Sequence, residues 1–256
     1  MKLDFLRKIK GKIRDFFKEH GFVCDGCGAE IFDYPAHRLC ESCEEKMRKN
    51  DGRTCPKCGR KTVAEGVCLS CKSCLPRFTR GYSPFVYRGE TAAFINRIKN
   101  GNPALAPYFA ERMAERLIEE RQDLERFLSG ESLLIVPVPL TEERLRARGY
   151  NQAEELVDTL YKRLKERGYG VELDAEILQK TRETAQQKHM GRKARQENVA
   201  GAYHVHKRKE CRDRTIVLVD DIMTTGATGS ECAARLFGAG AKEVIFLVAA
   251  SLPEIR

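Results

Sequence analysis

The chain has 256 residues, 42% hydrophobic and 32% charged, with no Trp and a formal charge of +9 from 46 Lys and Arg against 37 Asp and Glu. That length holds one large domain or two modest ones. No apolar run approaches a membrane span, and the N-terminus lacks the apolar core and small-residue cleavage site of a signal peptide, which predicts a cytoplasmic protein.

Residues 1–20 form the first predicted element, an amphipathic basic helix. Leu6, Ile9, Ile13, Phe16 and Phe17 share one face, with Lys8, Lys10, Lys12 and Arg14 around it. Such a helix packs on the rest of the protein or makes peripheral contact with the inner face of the cell membrane. Gly11 in its middle weakens either arrangement.

The cysteines come next. Nine of the 11 lie between Cys24 and Cys74. Cys24-x2-Cys27 and Cys40-x2-Cys43 have the spacing of a zinc ribbon, in which two tight turns each present two sulfurs and together complete a tetrahedron. A second set follows as Cys55-Pro-Lys-Cys58-Gly, then Cys68, Cys71 and Cys74, so three thiols compete for two places. Spacing alone leaves that choice open. A reducing compartment disfavours disulfides, and four protein ligands leave no open position, so both sites read as structural zinc. Two zinc–tetrathiolate sites, each about −2, would take the first 80 residues from +7 (18 basic, 11 acidic) to roughly +3. The remaining positive charge concentrates between Lys180 and Arg214, with 11 basic residues against 4 acidic, and suits nucleic acid or a polyphosphate. Cys211 and Cys232 stand apart and read as small buried thiols.

From Tyr82 onward strands and helices alternate. Strands are expected at 83–87, 133–136, 177–180, 215–219 and 243–249. Helices are expected at 91–99, 105–128, from Arg148-Gly-Tyr-Asn-Gln152 to about Arg167, and at 230–237. Pro137-Val-Pro139 stiffens the exit of the second strand. This alternation predicts an α/β fold with a parallel sheet flanked by helices. No Gly-x4-Gly-Lys-Ser/Thr occurs, which argues against a P-loop ATPase.

Arg214 to Thr228 carries the chemistry. Ile216 to Val219 is an unbroken apolar run of the kind buried on both faces of a parallel sheet, and it ends at Asp220 and Asp221. A loop of Thr224, Thr225, Gly226, Ala227 and Thr228 then leads into a helix. Backbone N–H groups, hydroxyls and the positive helix end suit a phosphate monoester. The two acids repel phosphate and suit hydroxyl donors or a divalent metal. A ribose 5-phosphate satisfies both halves.

Val-Leu-Val-Asp-Asp-Ile-Met-Thr-Thr-Gly-Ala-Thr resembles the motif of type I phosphoribosyltransferases that binds 5-phosphoribosyl 1-pyrophosphate (PRPP). The resemblance implies that Asp220 and Asp221 hold the ribose hydroxyls and that residues 224–228 hold the 5-phosphate. The wider order of motifs resembles the ComF family of bacterial competence proteins (ComFC-like). The matching pieces are Cys-Pro-Lys-Cys-Gly at 55, Gly81 to Tyr87, Val136 to Leu140, Arg148 to Gln152, and Arg182 to Asn198 with Gly201-Ala-Tyr203. That resemblance implies a type I phosphoribosyltransferase fold preceded by a small double zinc-ribbon or knuckle domain. The expected division is 1–20 amphipathic helix, 21–78 zinc domain and 79–256 phosphoribosyltransferase-like domain. In the family an aromatic, here Phe78, follows the last metal pair at a set distance, which favours Cys68 and Cys71 over Cys74. Val138 and Pro139 take the place of the pyrophosphate loop, and Arg148, Arg182 and Arg192 are candidates for closing over the diphosphate. Their alternative is a solvated basic face.

Function follows on two lines. The family implies a part in DNA uptake, with Mg-dependent PRPP binding, contact with single-stranded DNA, a competence helicase as partner and an oligomer as an option. The alternative is an active phosphoribosyltransferase that transfers ribose 5-phosphate to a nucleobase or amine, unrelated to DNA uptake.

Overall fold

The computed structural model describes residues 23–31, 39–120, 122–128, 130–184 and 197–254. The helix expected over 1–20 lies outside these residues, as does Arg192.

The centre of the molecule is a pair of nine-residue strands, β7 (Thr215–Met223) and β8 (Glu243–Ser251). Both are almost wholly apolar in their first halves, because helices cover the sheet on both sides. They pair in parallel from Thr215 opposite Glu243 to Met223 opposite Ser251. On the far side of β7 lie β3 (Leu133–Pro137) and then β4 (Val171–Leu173). On the far side of β8 lies β1 (Arg80–Tyr82), with the two-residue β2 (Phe85–Val86) further along the same edge. The order is β1-β8-β7-β3-β4, and every pairing in this sheet is parallel. The expected parallel sheet with flanking helices is present.

Three expectations need correction. The strand after Arg214 runs four residues beyond Val219, because β8 continues beside it and supplies partners for Ile222 and Met223. The segment near 177–180 does not join the parallel sheet: β5 (Leu178–Lys180) pairs antiparallel with β6 (Tyr203–Val205) in a separate ribbon. Leu178, Tyr203 and Val205 are buried there. The long helix expected over 105–128 ends early. The α-helix Ala106–Glu120 stops, and Gln122–Leu128 continues as a 3₁₀ turn whose Phe127 carbonyl accepts the Gly170 N–H at 2.6 Å.

In chain order the α-helices are α1 (Glu41–Glu45), α2 (Leu69–Ser73), α3 (Gly89–Lys99), α4 (Ala106–Glu120), α5 (Glu142–Arg148), α6 (Gln152–Glu166), α7 (Arg208–Cys211) and α8 (Ala227–Gly238). The helix expected to follow Arg148-Gly-Tyr-Asn-Gln152 is α6, and a further short helix, α5, precedes it. The Thr141 hydroxyl caps α5, Gly149 ends it in the left-handed conformation (φ 83), and the Asn151 side chain caps α6 by accepting the Ala153 N–H at 3.0 Å.

Each face of the sheet has its own core. Phe94, Ile95 and Ile98 of α3, Phe109 and Met113 of α4, and Leu156 and Leu160 of α6 pack on Val217, Val219, Ile245 and Leu247. Cys24, Leu39, Cys43 and Met47 belong to this same core. Cys232, Ala233 and Leu236 of α8 pack on Ile216, Leu218 and Phe246 on the other face, together with the ribbon, Phe78 and Cys55, Cys58, Cys68 and Cys71. The division at 78/79 is thus one of chain order, and the first cysteine set shares one core while the second shares the other. Cys211 and Cys232 are buried, and burial raises both thiols, Cys211 to about 11.

Candidate phosphoribosyl site and cysteine clusters

The sheet places Asp220 and Asp221 in the second half of β7, where β3 has already ended at Pro137. Both are largely buried, at 9% and 3% exposure. The Asp221 N–H donates to Asp220 Oδ1 at 2.9 Å. Lys99, the last residue of α3, brings Nζ to 3.0 Å from Asp221 Oδ2. That approach is an ion pair without the alignment of a hydrogen bond: Oδ2 is a buried acceptor with no hydrogen-bond donor. Burial, reinforced by the Asp221 charge, pushes Asp220 well above the usual carboxylate range, and Lys99 opposes the shift. Lys180 stands over the ring of Tyr203 at 5.7 Å and donates to Thr184 Oγ1 at 3.0 Å. Burial lowers its pKa, and the neighbouring Arg144 charge lowers it further.

Beyond the acids the chain turns through Thr224 and Thr225 to Gly226, whose φ of 84 starts α8. A side chain there would be strained, so glycine fixes the turn. Gly226, the N-cap residue of α8, makes no side-chain cap itself. The Thr225 hydroxyl accepts the Ala227 N–H at 3.3 Å, and Thr224, Thr225 and Thr228 are half-buried. Gly229, one turn on, has no room for a Cβ: it would lie 2.5 Å from the Phe246 ring. The helix therefore sits close on β8 and aims its first amides past the strand end.

The other residues expected at this site divide. Val138 lies alongside, its N–H donating to the Val219 carbonyl at 2.8 Å while its own carbonyl accepts from Asn151 Nδ2 at 3.1 Å. Pro139 follows, half-buried. Arg148 donates to Gln152 Oε1, and Arg182 is exposed and donates to the Ala200 carbonyl at 2.7 Å. Four residues that the sequence reading did not single out are present: Lys99, Lys180, Arg144 and Arg60. Lys99 could have been noticed as the last residue of an apolar-periodic helix. The others carry no local signal.

The eight expected zinc ligands form two groups, Cys24, Cys27, Cys40 and Cys43, and Cys55, Cys58, Cys68 and Cys71, the four sulfurs of each lying within 4.8 Å of one another. Cys68 and Cys71, not Cys74, complete the second. Sulfurs of Cys27 and Cys40, and of Cys58 and Cys68, are 3.7 Å apart. That is far longer than a disulfide and close to the roughly 3.8 Å edge of a tetrahedron with zinc–sulfur bonds of about 2.3 Å. Backbone N–H groups of Gly26 and Cys40 point at Cys24 Sγ (3.3 and 3.2 Å), and that of Cys68 at Cys55 Sγ (3.4 Å), as thiolate ligands require. The donor sets fit structural zinc.

A groove of about 440 Å3 also opens near the end of β2, lined by Arg48, Lys49, Lys61, Arg88, Val86 and Pro253. Among the described residues no helix is long and apolar enough to cross a membrane.

Comparison with known proteins agrees with this geometry. Residues 146–254 match the family model described as "Phosphoribosyl transferase domain". The chain is 26% identical over 203 residues to "Competence protein ComFC" of Bacillus subtilis, covering 76% of this chain and 75% of that one. It is 28% identical over 210 residues to "DNA utilization protein YhgH" of Escherichia coli K12, covering 80% and 87%. It is 26% identical over 227 residues to "Competence protein F" of Haemophilus influenzae, covering 87% and 94%. The chain is thus similar, over most of its length, to proteins named for competence and DNA utilization, and it carries a phosphoribosyl transferase domain. Solved structures similar to this chain include hypoxanthine-guanine phosphoribosyltransferases of Schistosoma mansoni (15% identical, TM-score 0.34, 60% of this chain and 66% of that one) and L. donovani (11%, TM-score 0.35, 60% and 82%).

Proposed function

We propose that this protein binds PRPP with Mg²⁺ at the end of β7 and serves DNA uptake, handling single-stranded DNA beside a competence helicase. The observation that carries the PRPP reading is Asp221 Oδ2, buried beside a phosphate-type loop and held by the Lys99 ion pair with no hydrogen bond among the described residues. A ribose hydroxyl would supply such a hydrogen bond. Asp220 and Asp221 take the diol, and the amides and hydroxyls of 224–228 take the 5-phosphate. The pyrophosphate then points towards Val138 and Pro139, with Arg148, Arg182 and Arg192 as its candidate cations. Mg²⁺ supplies charge neutralisation at that diphosphate when bound.

The test is calorimetry of PRPP with and without Mg²⁺. Wild type should bind, and Lys99→Met/Asp221→Asn, which keeps the buried pair balanced, should bind at least tenfold more weakly, the loss of a hydrogen bond to a charged group. Equal affinity would remove Asp221 from the ribose site.

The basic groove supports the DNA half of the reading. Four cations around one channel suit a run of phosphates. Single-strand affinity should fall steeply with salt, and Arg48→Ala with Arg88→Ala should lower both the affinity and the salt slope. Binding that ignores salt would argue for a different surface.

A further inference from the structure

Arg60 follows the second knuckle turn, yet its guanidinium does not face solvent. The residue is 5% exposed. Its Nε donates to Cys58 Sγ at 3.3 Å, and its Nη2 donates to the backbone carbonyl of Thr224 at 2.9 Å. One planar cation thus touches a ligand sulfur of the second cysteine cluster and the first residue of the phosphate loop. Two further contacts join the same parts. The Phe78 ring lies 3.8 Å from the Cβ position of Gly226, and the Arg77 N–H donates to Ser230 Oγ at 3.0 Å in the first turn of α8.

A buried cation needs a counter-charge, and an unpaired one is strongly destabilising. Among the described residues no carboxylate pairs with Arg60, whose hydrogen bonds run to the Cys58 sulfur and the Thr224 carbonyl. Four thiolates around one divalent ion carry about −2, whereas four thiols carry none. Metal loading of the cluster would place a counter-charge beside this guanidinium. We propose that Arg60 is a positioning residue that couples metal occupancy of the Cys55–Cys71 cluster to the conformation of the 224–228 loop, making phosphate binding there metal-dependent. Arg60 touches no substrate in this arrangement. It fixes the Thr224 carbonyl, and so the direction in which the following amides point. The link to phosphate rests on the PRPP reading; the link from cluster to loop does not.

Hydrogen exchange separates the two. In Arg60→Met, which keeps the stem and removes charge and donors, amides at 224–228 should exchange at least tenfold faster while β3 and the knuckle backbone are unchanged and zinc stays at two per chain. Withdrawing metal from the wild type only as far as β3 stays protected should loosen the same amides. PRPP affinity by calorimetry should fall about tenfold in Arg60→Met, with partial recovery in Arg60→Lys, which restores the charge but not the fork. Unchanged exchange at 224–228 would overturn the coupling. Faster exchange in a wild type that binds neither PRPP nor inorganic phosphate would keep the coupling and sink the ligand. Should Arg60→Met lose zinc, Arg60→Lys decides: full wild-type protection and affinity there, with Thr224 still held, would mean charge alone suffices and the bidentate geometry is not used.

Discussion

At the scale of single residues the site is built from charges placed where they are costly. Asp221 and Lys99 share a buried ion pair, and removing one partner strands the other. Lys99→Met should therefore lower stability by about 3 kcal/mol, and adding Asp221→Asn should restore most of it, measured by urea unfolding. Asp220 behaves differently. Its folded pKa is raised, so its contribution to stability is fully present below the ordinary carboxylate range and is lost as pH rises through the folded value. Asp220→Asn removes that loss. The variant should melt higher than wild type at neutral pH, with the gap closing as pH falls to the ordinary carboxylate range. It should also bind PRPP more weakly, and a gap that widens towards acid would contradict the burial argument. The pair Asp220-Asp221 was legible in the sequence because it interrupts an apolar run. Lys180 and Arg60 were not, since each reaches the site across the fold from a distant segment.

Among the elements, β7 and α8 could be read with little error. Ile216 to Val219 can only be a strand buried on both faces, and the glycine and threonines after it mark a turn into a helix. What the sequence could not show was where pairing stops. β7 continues through Asp221 to Met223 because β8 runs beside it, and register is a property of the partner. For the same reason Leu178–Lys180 looked like any other short strand, although its partner Tyr203–Val205 lies within the basic segment and pairs antiparallel. The joint between β7 and α8 is where backbone geometry is tightest. Gly226→Ala puts a side chain at φ 84 and should cost about 1 kcal/mol with weaker phosphate binding. Gly229→Ala drives a methyl into the Phe246 ring and should cost about 1–3 kcal/mol through overpacking. Thermal unfolding ranks the two, and a silent Gly229→Ala would mean that α8 can lift from the sheet.

For the molecule as a whole, the cysteine clusters are not appendages. Cys24 and Cys43 are buried with α3 and α4, and Cys55 to Cys71 with α8 and the ribbon. Spacing identified the clusters, but nothing in spacing says that each packs against a different face of the sheet. Stripping both sites with a strong chelator should thus melt the sheet as well as the knuckles, in one transition followed by far-ultraviolet circular dichroism. Two zinc ions per chain should be released. A sheet that survives the chelator intact would mean that the cores close without the clusters.

The edge strands β1 and β2 have one partner in the sheet, and it is β8. During synthesis, residues 80–86 leave the ribosome more than 150 positions before residues 243–251, with which they must pair. The nascent chain therefore waits, its metal-binding head already made, for β8 to arrive. A stop codon placed just ahead of Glu243 would leave β1, β2 and one edge of β7 unpaired, so the N-terminal strands join the sheet only once β8 has been made.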